Sequence, residues 1–241
     1  MKKLGIIVAL PAEARCFQSG KINLRLPIEI KKNIFLCVSG IGYTSSLNAT
    51  KELIKLNVDA LISWGIAGAT CNSVNTGDLI LAESVVCEYR ERIYNASSDW
   101  YKKIIYHFDS SLSNILKGSV VSTNDICSTS EKKIELFKKT GALAIDMESA
   151  AMAEVAIDNN IDFIVIRAIA DNASLNIPEA LIKNIDGFGR VKIIKLIISC
   201  LLHPSQINQI FLLAISYKKA LKSLENFSRV LKKENFFISH N

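Results

Sequence analysis

Three carboxylates stand where apolar runs stop. Glu13 follows the run 4–10 across Pro11-Ala12, Glu148 follows 143–145 across Asp146-Met147, and Asp171 closes 163–169 after Ala170. Two further apolar runs, 34–38 and 60–64, end in Ser39-Gly40-Ile41-Gly42 and Gly65-Ile66-Ala67-Gly68. Carboxyl groups gathered in one place can divide labour. One whose pKa is raised by burial can protonate a leaving group, a second can position water, and a third can grip a diol through two acceptor oxygens. Those are the parts needed to break a bond to a sugar carbon, where the sugar becomes cationic and the leaving group gathers negative charge.

Each residue also has an ordinary structural explanation. A glutamate near a helix start, as Glu148 is, is favoured by the helix dipole on any surface. Asp171 suits a cap or turn, and Glu13 beside Arg15 suits a solvated pair. Gly65-x-x-Gly68 is not the G-x-G-x-x-G pattern of dinucleotide sites. The shared position at the ends of strand-like runs is what favours function.

Those runs are the elements that must do the positioning. Continuous, branched apolar segments alternating with helical patterns predict an α/β fold with a mostly parallel sheet covered on both faces. Strands are expected at 4–10, 34–38, 60–64, 79–86, 143–145 and 163–169, with Gly77-Asp78 turning into the fourth. One helix is expected over about 44–56, capped by Thr44 or Ser45, and another from Glu148 to about Ile157. Ligands of such sheets bind beyond the carboxyl ends of the strands. Parallel strands would therefore bring Glu13, the glycine turns, Glu148 and Asp171 to one rim. Beyond Asp171 the pattern turns helical, at 193–202 and 207–231, with Pro204 as breaker and Ser205 as cap between them.

The chain has 241 residues, 49% hydrophobic and 22% charged, and no linker, low-complexity tract or repeat divides it. One domain over 1–241 is expected. The net charge is +6, but nine Lys/Arg against two acids from Arg190 onward give that part +7, so the first 189 residues carry about −1. A positive field confined to a basic helical extension at 190–233 argues against nucleic acid as partner. Six cysteines are scattered singly, as expected of buried reduced thiols, and three isolated histidines suggest no metal site. Met1-Lys2-Lys3 and the run 4–10 look superficially like a secretion signal. The run is short, no small-residue cleavage site follows, and Glu13 and Arg15 arrive at once, so a buried first strand in a cytoplasmic protein is expected.

Taken together, the segments resemble the nucleoside phosphorylase/nucleosidase superfamily. The resemblance rests on Gly5-Ile6-Ile7-Val8-Ala9-Leu10-Pro11-Ala12-Glu13, Val38-Ser39-Gly40-Ile41-Gly42, Trp64-Gly65-Ile66-Ala67-Gly68 and Gly77-Asp78-Leu79-Ile80. It continues through Asp146-Met147-Glu148-Ser149-Ala150 and Arg167-Ala168-Ile169-Ala170-Asp171, in the family's order. It implies a three-layer α/β fold: a twisted, mostly parallel central sheet flanked by helices, here with a C-terminal helical extension. It implies that Asp171 is the acid at purine N7. Glu148 then holds the ribose hydroxyls with Met147 against the sugar, and Glu13 orients attacking water. Ala67 and Gly68 would line the base and ribose pocket, and the stretch Asp125–Cys127, through Ile126 and Cys127, would meet the purine. No cofactor is implied.

Two departures matter. The family often has Ser before the catalytic Asp, where this chain has Ala170, so a hydrogen bond orienting Asp171 is missing. Its phosphorylases carry a Gly-Asp-Pro-x-Arg phosphate turn near the N-terminus, where this chain places Glu13; that favours water over phosphate unless Arg15, with Gly42, binds phosphate. Pro178-Glu179-Ala180-Leu181, Asp186-Gly187-Phe188-Gly189-Arg190 and Pro204-Ser205-Gln206 resemble the hopanoid-associated branch, which implies loss of adenine from an adenosylhopane-type lipid. The basic tail would then touch a membrane surface through Lys218, Lys219 and Lys222, or the helices simply cover the sheet or a second copy in a homo-oligomer. A soluble methylthioadenosine or S-adenosylhomocysteine nucleosidase, a general purine nucleoside phosphorylase, and a nucleoside-binding protein without catalysis stay open beside it.

Overall fold

The computed structural model describes residues 3–20, 22–108, 115–192, 195 and 206–233. The first strand, β1 (Leu4–Val8), is buried at all five positions, as a strand covered on both faces must be. It lies between β3 (Ile34–Val38) and β4 (Ala60–Ala69), parallel to both. The short β2 (Ile28–Lys31) pairs antiparallel with β3 at the sheet edge, its burial alternating as on a half-exposed face. β5 (Leu79–Cys87), β7 (Ile115–Ser122) and β8 (Ala144–Asp146) form a second parallel group, with β6 (Arg92–Asn95) antiparallel on β5.

The long strands β4 and β5 each change neighbours part-way. β4 pairs with β1 along Ala60–Ser63 and reaches β8 at Gly68 and Ala69. β5 meets β9 (Asp162–Asp171) along Leu79–Ala82 and β6 from Ser84 onward. Because β9 also runs parallel to β4, the circuit β4-β8-β7-β5-β9 closes on itself. Among the described residues five strand pairings are parallel and four antiparallel, so the sheet is mixed with parallel pairings in the majority.

Helices flank this sheet: α1 (Pro11–Ala14), α2 (Tyr43–Ile54), α3 (Ser98–Phe108), α4 (Ser130–Thr140), α5 (Ser149–Asp158), α6 (Glu179–Lys183) and α7 (Ile207–Lys233). α4 shows its ends plainly. Thr129 caps it by accepting from the Lys132 N–H, and Gly141 stops it at φ +68°. α2 begins one residue earlier than the sequence suggests, and neither Thr44 nor Ser45 caps it. Gly42 holds the cap position without a side chain.

Two apolar layers sandwich the sheet. One joins Ile6, Trp64 and Ile166 to Ala220, Leu224, Phe227 and Leu231 of α7; the other joins Leu53 of α2 and Met152 of α5 to Ile80 and Phe163. The Phe227 ring stacks on Trp64, centroids 5.8 Å apart and 8° from parallel. Burying Leu224, Phe227 and Leu231 stabilises the fold by roughly 1.5–3 kcal/mol each. The C-terminal half of α7 is thus core. Its N-terminal half leaves Phe211 65% exposed, and Leu212 and Ile215 about half exposed.

Two expectations need amendment. Gly65-x-x-Gly68 is not a turn: β4 runs through it, paired with β9 throughout. The sequence reading also gave no element between Val86 and Leu143, where β6, α3, β7 and α4 lie. The expected helix at 193–202, and His203, Pro204 and Ser205 after it, fall outside the described residues apart from Lys195.

Candidate active site

Glu13 sits in α1, the single turn that follows β1, with Pro11 fixing the helix start. Its side chain folds back into the protein. Oε2 accepts from the N–H of Ala9 (3.0 Å) and Leu10 (2.8 Å), and Oε1 from that of Ile66 (2.9 Å). Gly65 makes room, since a Cβ there would stand 2.7 Å from Glu13 Oε1. Burial pushes the Glu13 carboxyl above its usual range, opposed by the three N–H donors and by Arg167.

Glu148 stands at the cap position of α5. Its Oε1 accepts from Gly42 N–H at 2.7 Å and its Oε2 from Met147 N–H at 3.3 Å. Gly42 holds φ at +95°, a conformation costly to a residue with a Cβ. Burial first, and the nearby Asp146 second, push Glu148 up to about 7.

Asp171 ends β9 just past a bulge. Ala67 faces Ile169 but Gly68 faces Asp171, so Ala170 is the extra residue. Bulges of this kind re-aim a side chain at a strand end. Gly68 again supplies room, a Cβ there lying 3.0 Å from Asp171 Oδ2. That oxygen accepts from Lys133 Nζ of α4 at 2.5 Å. Burial raises the Asp171 pKa and the Lys133 ammonium opposes it.

Beneath the three lies a buried polar network. Arg167 Nε donates to Asp146 Oδ2 at 2.8 Å, and its Nη2 to Ser63 Oγ (2.6 Å) and Ser149 Oγ (2.8 Å). Ser149 Oγ donates in turn to Asp146 Oδ2, while Asp146 Oδ1 accepts from the N–H of Glu148 and Ser149. A guanidinium anchored in β9 therefore fixes the turn that carries Met147 and Glu148.

Glu13, Asp146, Glu148 and Asp171 line one cavity of about 210 Å³, with Ala67, Gly68, Ile126, Cys127 and Met147 also in its wall. No Lys, Arg or His lines it among the described residues. Asp125 is exposed and stands outside that wall. The lone pairs say what remains for a ligand. An ionised carboxylate offers about four acceptor sites; Glu13 uses three on backbone donors and Glu148 two. One acceptor site is thus left on Glu13 and two on Glu148.

The structure takes Arg15 elsewhere. It is exposed and lines a separate cavity with Lys218, Lys222 and Arg229 of α7. Gly42 N–H is already occupied by Glu148. Sequence reasoning gave no part to Lys133, Arg167, Asp146, Ser149 or Ser63. Arg167 carried a readable signal, an arginine inside an otherwise apolar strand; Lys133 carried none.

Residues 3–192 match the phosphorylase superfamily. A 5′-methylthioadenosine/S-adenosylhomocysteine nucleosidase of Thermotoga maritima is 32% identical over 158 residues, covering 62% of this chain and 70% of that one. One from Buchnera aphidicola is 30% identical over 191 residues, covering 70% and 82%. Among solved structures, futalosine hydrolase of Helicobacter pylori superimposes with TM-score 0.70 at 18% identity, covering 97% of this chain and 98% of that one. The Neisseria meningitidis 5′-methylthioadenosine/S-adenosylhomocysteine nucleosidase, in complex with methylthio-immucillin-A, gives 0.70 at 17%, covering 97% and 100%. The chain belongs to the phosphorylase superfamily. It is an enzyme of N-glycosyl bond cleavage.

Proposed function

We propose that this enzyme releases adenine from a 5′-substituted adenosine by hydrolysis. The observation that carries the reading is the convergence of Glu13, Glu148 and Asp171 on one cavity lined by acids and by no basic side chain among the described residues. Asp171 protonates N7 as the C1′–N9 bond breaks. Glu148 holds the ribose hydroxyls on its two remaining acceptor sites, with Met147 against the sugar. Glu13 holds the water whose oxygen attacks C1′ and, as the ionised carboxylate, takes the proton that water gives up. No basic side chain among the described residues lines the cavity to bind phosphate, and Arg15 lines a separate one, which supports water as nucleophile. Ile126 and Cys127 are the residues proposed to flank the purine.

Two kinds of 5′ substituent have support. A small thioether is supported by the nucleosidase relatives at 30–32% identity. An adenosylhopane-type lipid is supported by the sequence resemblance and by exposed Phe211, Leu212 and Ile215 beside Lys218, Lys219 and Lys222, a face suited to an anionic membrane surface. No described helix is long and apolar enough to cross a membrane. Removing α7 cannot separate these readings, because its C-terminal half is core. Replacing Phe211, Leu212 and Ile215 by Ser can: turnover of a lipid-linked adenosine falls while that of adenosine stays, if the lipid reading holds.

The deciding assay is adenine release from adenosine, methylthioadenosine and a lipid-linked adenosine, with and without phosphate. Release without phosphate is expected. A strict phosphate requirement would overturn the hydrolytic reading.

A further inference from the structure

Lys133 is fully buried and has no part in the steps above. All three ammonium protons are used: Nζ donates to Asp171 Oδ2 at 2.5 Å, to Leu175 O at 2.7 Å and to Asn172 O at 3.1 Å. A lysine is kept in so dry a place only when its charge is paired. The chain carries Ala170 before Asp171, so no hydroxyl from that neighbour orients the carboxylate. A cation from α4, a different element, contacts the carboxylate instead.

We infer that Lys133 is a positioning residue for Asp171: its ammonium pins one carboxylate oxygen, leaves the other to the leaving group, and stabilises the carboxylate that remains once the proton has gone. The inference rests on the reading of Asp171 as the acid. The proton passes from the Asp171 carboxyl to N7 while the C1′–N9 bond breaks, and Lys133 keeps its own three protons throughout. Burial alone makes Asp171 a reluctant acid; the adjacent cation makes it a stronger one, which favours proton transfer. The other ionisable groups facing this cavity are Glu13 from α1, Asp146 and Glu148 at the end of β8, and Cys127 from the loop after β7. Arg167, on β9 itself, is committed to Asp146, Ser63 and Ser149.

A merely structural lysine would tie Asn172 and Leu175 to α4 and leave the acid's titration alone. The two roles separate in the pH profile of adenine release from methylthioadenosine by Lys133→Arg, Lys133→Gln and Lys133→Met. The alkaline limb of kcat/KM marks loss of the Asp171 proton in the free enzyme. Removing the cation moves that limb upward by about one pH unit or more. It also lowers kcat about 10- to 100-fold, with KM changed less, while Lys133→Arg retains both the limb and most of the rate. Gln keeps donors for the two carbonyls and Met keeps the apolar stem, so either variant that melts as a folded protein decides. A limb unmoved in Gln or Met, or an Arg variant as impaired as both, overturns the inference. Absence of adenine release by the wild-type enzyme from any adenosine derivative would instead sink the reading of the site itself.

Discussion

The two ends of the cavity hold their carboxylates by different means. Glu13 and Glu148 rest on backbone N–H groups, three for one and two for the other, whereas Asp171 rests on a buried ammonium. Neutral dipoles fix a carboxylate's direction without ending its choice of protonation state. Such donors also favour the ionised form, and a full charge does so more strongly, through space as well as through its hydrogen bond. The proposed water and ribose end is therefore built for orientation, and the proposed leaving-group end for proton transfer.

Breaking the leaving-group end has the largest expected effect. Asp171→Asn removes the proposed acid and lowers kcat by about 10²–10⁴, read from adenine release; an unchanged kcat would detach Asp171 from the chemistry. Gly65→Ala attacks the orienting end without touching a polar group, because its Cβ would stand 2.7 Å from Glu13 Oε1. A displaced water-handling group costs about 10² in rate, and a variant that folds and turns over normally would show Glu13 to be dispensable.

Glu148→Gln is gentler in rate. Charge-assisted hydrogen bonds are worth about 1.5–3 kcal/mol, so kcat/KM falls at least about tenfold. The pH profile is the sharper readout. Glu148 is raised to about 7, so the ionised form that accepts from the ribose hydroxyls is lost as pH falls through that value. An acid limb near 7 is expected in the wild type and absent in the Gln variant. Stability runs the opposite way. A carboxyl raised by burial binds more protons folded than unfolded, so its contribution is present at low pH and declines as pH rises toward 7. The smallest effect is that of Arg15→Ala. Exposed and outside the cavity, it changes turnover less than about threefold, since surface substitutions of this kind act within about 0.5 kcal/mol. A large loss, confined to assays with phosphate, would restore Arg15 as an anion ligand.

The orienting end was more legible in the sequence than the other. Glu13, Glu148 and Asp171 announced themselves by terminating continuous apolar runs, a local pattern. Gly65 and Gly68 were visible but read as a turn, because glycine usually punctuates a strand; here each glycine yields its side-chain volume to a carboxylate from another element. Lys133 was invisible. Ser130-Glu131-Lys132-Lys133 is a charged stretch with no apolar pattern to mark an element, and only the tertiary fold turns one of its two lysines inward. The stretch from 88 to 140 escaped for a related reason: its strands are short or carry Lys117, Gly118 and Ser119 mid-strand, which spoils the apolar run.

The closed circuit of strands has a consequence for the order in which the molecule can assemble. β4 and β5 are synthesised long before β9, yet each leaves an edge that, among the described residues, only β9 covers. Until then those edges offer unpaired N–H and C=O groups to any passing strand. β9 also brings Asp171 and Arg167, so sealing the ring and completing the acid-bearing wall are one event. Pairings so distant in sequence are slow to form. A truncated chain lacking residues 162–171 is accordingly expected to release no adenine and to scatter light as an aggregate.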